Sequence, residues 1–109
     1  MIMICLSEAY LDQITYQMDK MNVMEQFKYL GPSSAFLKVQ VTEMIEAVTS
    51  DACQVFGGRS ITRSGMGKAI QRARAVVKGV SITGGSMEVM ADLGARMVFK
   101  KIKPHEAKL

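Results

Sequence analysis

The sequence predicts an all-α chain, an antiparallel bundle of helices joined by short turns. Apolar residues recur at three- and four-residue steps through most of the chain, the period of a helix with one buried face. The stretches richest in β-formers, Val76-Val77 and Val80-Ser81-Ile82, are too short and too closely bounded by glycine to make a hairpin. Glycine and proline fall between the periodic segments, where turns are needed. A hydrophobic content of 49% with 22% charged residues is that of a globular protein, and 109 residues fit one domain at most.

The elements follow in order. From Leu6, the positions Leu11, Ile14, Met18 and Met21 continue one apolar stripe after Ser7, a residue able to cap, with Glu8, Asp12, Asp19 and Lys20 mostly off it. Asn22 and Glu25 have the capping-box spacing, which opens a short helix over Val23 to Tyr29. Gly31-Pro32-Ser33-Ser34 reads as the clearest break, after which Ser33 or Ser34 caps a long helix carrying Leu37, Val41, Met44, Val48, Ala52 and Val55. Gly57-Gly58 stops that helix, and the next six residues read as a loop. A further helix is expected from Gly65 to Val77, capped by Ser64, then a loop around Gly79 to Gly85. Ser86 caps the last helix, with Val89, Met90, Leu93, Met97 and Phe99 on its apolar face and Pro104 at its end. The expected organisation is a helical domain over 1–103 and a tail over 104–109.

Composition narrows the function. Ten methionines and no tryptophan indicate a core of adaptable side chains, and a methionine stripe at helical spacing is core before it is a cofactor box. Cys5 and Cys53 lack metal-ligand or C-x-x-C spacing and are read as small buried hydrophobes in a reducing setting, so no metal site is expected. The formal charge of +4 is spread along the chain, and no nucleic-acid recognition motif accompanies it, so no nucleic-acid partner is expected. No apolar run reaches the ~20 residues that span a bilayer, and the opening Met-Ile-Met-Ile-Cys-Leu lacks the positive flank of a signal peptide; a soluble protein without a membrane partner is expected. His105, the single histidine, is read as a solvated tail residue.

The stretch from Asp51 to Arg96 concentrates the remaining chemistry. It contains D-A-C-Q-V-F-G-G, ending at Gly58, and I-T-G-G-S-M-E-V-M, from Ile82 to Met90, joined by a segment carrying Arg72 and Arg74. An amide such as that of Gln54 both donates and accepts hydrogen bonds, and glycine lets a backbone approach a ligand closely. From the pattern alone, the favoured reading is that Gly57-Gly58 ends a helix and Gln54 is solvated. Ser86 reads as an N-cap or as a ligand hydroxyl, and Glu88 suits a first helical turn in either case. Arg72 and Arg74 read as phosphate ligands or as solvated cations.

Taken in this order and near this spacing, the two motifs resemble the D-A-x-Q-x-x-G-G and x-E-G-T-x-E-I segments of the acyl-CoA dehydrogenase family. The resemblance covers nearly the whole chain and implies the later part of that family's C-terminal four-helix-bundle domain. It implies that Gln54, Gly57 and Gly58 reach the nucleotide side of FAD held by a neighbouring subunit, and that Gly85, Ser86 and Glu88 approach the flavin or its nucleotide. The chain departs from the family in having Ser60 where a third glycine is usual, and Gln71-Arg72-Ala73-Arg74 for R-D-A-R. In many members the residue at Gly84 is the glutamate that removes the α-proton, and glycine offers no base. The long-chain and isovaleryl branches carry the base on an earlier helix, which lies outside this chain.

On this resemblance the earlier helices, the β-sheet domain and the N-terminal helical domain lie outside the chain, which reads as a fragment, a truncated product or a remnant. The complete enzyme would take acyl-CoA as substrate and FAD as cofactor. This chain alone is expected neither to hold FAD nor to catalyse, and its partners are other subunits or the upstream domains. The alternative is a non-catalytic helical interaction module derived from the family. The closing Ala-Lys-Leu resembles the Ser-Lys-Leu peroxisomal address, which implies a peroxisomal location and otherwise a mitochondrial or cytoplasmic one.

Overall fold

In the computed structural model of the protein, residues 2–106 are described, with side chains through residue 102. Four α-helices and one 3₁₀ turn follow in order: α1 (Ile2–Lys20), α2 (Val23–Phe56), the 3₁₀ turn (Gly57–Ile61), α3 (Gly67–Ile82) and α4 (Met87–Glu106). The described residues contain no strand, so the all-α prediction holds. The chain divides into two compact units, one made of the stretch up to Gln40 together with the stretch from Met87, the other of Val41–Ser86.

In the first unit, α1 begins earlier than its apolar stripe suggests, and the Ser7 hydroxyl donates back to the Met3 carbonyl at 2.9 Å instead of capping. Of the stripe only Ile14 is buried, and Leu6, Leu11 and Met18 are exposed. Cys5 is also exposed, against its reading as buried, whereas Cys53 in the second unit is buried. One bond of the capping box is made at the start of α2: the Asn22 amide donates to Glu25 Oε2 at 3.3 Å. Gln26 ties α1 to α2, its Nε2 donating to the Met18 and Met21 carbonyls at 2.8 and 3.0 Å.

The expected break at Gly31-Pro32 is absent. α2 runs as one helix of 34 residues with Pro32 inside it, so Ser33 and Ser34 cap nothing. The cause is packing: Leu30, Pro32, Ala35 and Leu37 are all buried, and the Met97 side chain lies so close to Gly31 that a Cβ there would come within 2.5 Å of its Cε. Burying this run outweighs the roughly 3 kcal/mol that an interior proline costs a helix. Pro32→Ala is accordingly expected to stabilise the chain. The propensity gained exceeds the ring burial lost by about 1 kcal/mol, read as a higher midpoint in thermal or denaturant unfolding.

In the second unit, α2 ends at Phe56 as the Gly57-Gly58 pair predicts, with Gly57 at φ +54, where L side chains are strained. Of the six residues expected as a loop, 59–61 belong to the 3₁₀ turn and 62–64 are loop. α3 starts at Gly67, with Met66 preceding it and Ser64 providing no cap, because Gly67 is buried against the turn: a Cβ on it would lie 1.8 Å from the Arg59 carbonyl oxygen. α3 also continues five residues past Val77, to Ile82. The lysine of its last turns, Lys78, pairs with Glu46 of α2 at 2.7 Å.

Pro104 does not end α4, which continues to Glu106. The tail expected from residue 104 is therefore helical for its first part, and the Ala-Lys-Leu of 107–109 and the His105 side chain lie outside the described residues. No helix among the described residues is long and apolar enough to cross a membrane, and no group of three or more metal-ligating side chains gathers among them. None of the large described side chains is fully buried.

Candidate functional site

The residues singled out by sequence fall at two turns. Gln54, Gly57 and Gly58 stand at the end of α2, spaced i, i+3 and i+4, which puts them near one face of the helix terminus. All three are exposed, and the space where a Cβ would project from Gly57 or Gly58 is empty to 4 Å. A flat or extended ligand could lie against bare backbone here. Beside it, Val55, Phe56 and Arg59 line an open hollow of about 370 Å³.

The turn is held from within. Ser60 is 5% exposed, and its hydroxyl donates to the Gly57 carbonyl at 2.8 Å, while Thr62 Oγ1 donates to the Arg59 carbonyl at 2.8 Å. The residue that replaces a third glycine therefore closes the turn instead of loosening it. These bonds consume carbonyls and leave the outer face of Gly57-Gly58 open.

The second turn joins α3 to α4. The Thr83 amide and hydroxyl both donate to the Gly79 carbonyl, at 3.1 and 2.9 Å, and the Gly85 amide donates to the Ile82 carbonyl at 3.1 Å. Gly84 has φ +79 and Gly85 φ +113, so the reversal depends on residues without a Cβ. A side chain at Gly84 would meet open space but carry backbone strain of about 1 kcal/mol. Gly85 and Ser86 are half-buried at the end of this turn, and Glu88 is exposed in the first turn of α4. Ser86 and Glu88 both have interaction partners.

Charge gathers along the second unit. Arg59, Arg63, Lys68, Arg72 and Arg74 are exposed on the 3₁₀ turn, the loop after it and α3. Arg74 also borders an open hollow of about 290 Å³, together with Glu46, Thr49, Ser50, Val77 and Lys78. Sequence reasoning passed over Arg59, whose signal was its position directly after the Gly-Gly pair. It also passed over Glu46, visible only once α3 is seen to bring Lys78 to it.

Comparison with known proteins decides the family. The model for the acyl-CoA dehydrogenase C-terminal domain matches residues 1–99. The chain belongs to the acyl-CoA dehydrogenase family. It is 31% identical over 101 residues to the acyl-CoA dehydrogenase apdG of Emericella nidulans, a match that covers 93% of this chain and 23% of that protein. The chain thus spans about a quarter of the length of this curated relative. No solved structure matches it. Family membership accounts for the all-α fold.

FAD, the cofactor of the family, can be set against these residues. Exposed glycine backbone with open space above it, an amide side chain one turn back and Arg59 alongside form a donor set suited to the edge of a nucleotide. The residues fit such a contact. Of this set Arg59 lines the open hollow, with Val55 and Phe56, while Gln54, Gly57 and Gly58 are simply exposed, so the set offers one side of a site.

Proposed function

We propose that this chain acts as the later part of the C-terminal helical domain of an FAD-dependent acyl-CoA dehydrogenase-like oxidoreductase. In that setting Gln54, Gly57 and Gly58 touch the nucleotide part of a flavin held mainly by other domains, with Gly85, Ser86 and Glu88 at the second turn approaching the same cofactor. The bound flavin supplies the hydride acceptor of an α,β-dehydrogenation of acyl-CoA. This chain supplies backbone amides, one carboxamide and the helices that pack against further subunits. The observation that carries the reading is the open face of Gly57-Gly58 beside Gln54, in a chain of this family.

The absence of a base at Gly84 fits a part that binds without doing the proton transfer, since neither Thr83 nor Ser86 is basic enough to replace a carboxylate. It equally supports a second reading, a helical interaction module that has kept the fold and not the chemistry. The exposed Leu6, Leu11, Phe27 and Phe99 favour packing against other chains in both readings.

Coexpression with the flavin-holding domains of a family member separates the two. In the first reading the assembly is yellow, and Gln54→Ala weakens FAD binding about fivefold, the worth of one hydrogen bond near 1 kcal/mol. An assembly that forms without flavin, or one whose FAD affinity ignores Gln54, supports the module.

A further inference from the structure

A second collection of cations lies in the first unit, away from both glycine turns in sequence. Lys28 and Tyr29 of α2 and Met97, Lys100 and Lys101 of α4 line an open hollow of about 570 Å³, a volume within the roughly 300 to 1,000 Å³ of small-molecule sites. The described residues lining it carry three ammonium groups and no carboxylate.

Two of the lysines, Lys28 and Lys101, gather around one ring. Lys28 Nζ lies 5.3 Å and Lys101 Nζ 5.1 Å from the Tyr29 ring centroid, and Lys101 also donates to the Tyr29 carbonyl at 3.5 Å. Cation–π attraction holds these two ammoniums near the ring, but it does not cancel the repulsion between like charges brought to one place. Lys100 and Lys101 stand one turn before the last of α4, nearer the end at which a helix dipole favours cations. Lys28 comes from the early turns of α2, where the dipole offers a cation nothing. The Glu25 carboxylate, one turn before it, is engaged by the Asn22 amide.

The hollow on the second unit is different. There Glu46 already pairs with Lys78 at 2.7 Å, so much of its positive charge is balanced. Among the described residues the first-unit hollow has positive charge without a balancing carboxylate in its lining, and it has an apolar floor in Met97 and the half-exposed Tyr29 ring.

We propose that this hollow binds a small, multiply charged phosphate compound, with Lys28, Lys100 and Lys101 holding its phosphates. Three ammoniums match a diphosphate or triphosphate better than a single phosphate. The Tyr29 ring and Met97 then suit the base of a nucleotide. This site is independent of the flavin reading, since none of its residues belongs to either glycine turn.

The test is titration of the full chain with ADP, inorganic pyrophosphate, inorganic phosphate and citrate, followed by calorimetry or by the amide shifts of residues 28–29 and 97–101. Pyrophosphate or ADP should bind more tightly than phosphate or citrate, and the affinity should fall as salt rises. ADP binding above pyrophosphate identifies a nucleotide as the ligand, and equal binding identifies the diphosphate alone; either supports the site. Lys100→Gln with Lys101→Gln should weaken binding about tenfold. Arg63→Gln with Lys68→Gln, which removes the same charge elsewhere, should leave it unchanged. The proposal is overturned if no phosphate compound binds, if citrate binds as well as pyrophosphate, or if the two double variants weaken binding equally. Circular dichroism on each variant confirms that helix content is retained.

Discussion

Gly67→Ala is expected to cost more than about 3 kcal/mol and to detach α3 from the 3₁₀ turn that precedes it. The new methyl group would have to sit 1.8 Å from the Arg59 carbonyl oxygen and 2.8 Å from Thr62 Oγ1. The first of these is backbone, with no side-chain torsion to relieve the clash. Ordinary reasoning gives the opposite sign, because alanine in place of glycine in a helix gains close to 1 kcal/mol of propensity. Amide hydrogen exchange distinguishes the two. Protection should be lost in Gly57–Ile61 and in the first turns of α3, while residues of α1 keep theirs. Gly58→Ala, which meets open space without a positive φ, is the matching control and should change stability little.

Leu30→Ala should lower stability by about 2 kcal/mol, the lower end of the range for truncating a buried leucine. Leu30 is 5% exposed, yet it borders an open hollow of about 200 Å³ lined also by Met18, Gln26, Phe27, Gly31 and Ser34. Water and neighbouring side chains can therefore enter part of the space vacated, and the cavity cost is smaller than in a closed core. A chemical denaturation midpoint measures it. Because Leu30 belongs to the first unit and Gly67 to the second, exchange protection should fall in different segments for the two variants.

How much of this was legible in the sequence depended on the kind of signal. The end of α2 at Phe56 was readable because Gly57 needs a positive φ, a demand the residue itself announces. The capping box at Asn22 and Glu25 was readable for the same reason: both partners lie within four residues of each other. Gly31-Pro32 misled because its local preference is real and is overruled by burial of Leu30, Pro32, Ala35 and Leu37, which depends on partners far along the chain. The start of α3 at Gly67 was hidden likewise, since the controlling contact is with Arg59. Pro104 within α4 has no such local account.

For the candidate site, the motif placed Gln54, Gly57 and Gly58 together at one helix end, and the structure puts them on its open side. What the motif did not reveal was how the turn is fastened. Ser60 counted in the sequence as a missing glycine, and in the structure its hydroxyl is the fastening. Nor did periodicity separate the covered face of α1 from its exposed one, because Leu6 and Leu11 carry the same apolar signal as Ile14 and differ only in what stands against them.

The buried apolar side chains of the described residues are Ile14, Leu30, Pro32, Ala35, Leu37 and Cys53, while Ile2, Met24, Phe27, Val55 and Met66 are among those left in water. Unfolding therefore hydrates little apolar surface that is not hydrated already. The heat-capacity increment should fall below the ~12 to 15 cal/mol/K per residue usual for globular domains, and the denaturant m-value should be correspondingly shallow. Such a chain has a flat stability curve and melts over a wide span of temperature, so its helix content should decline gradually on heating. Any macromolecule that covers the exposed face would raise the increment and sharpen the transition, which makes calorimetry a direct gauge of whether that face has been covered.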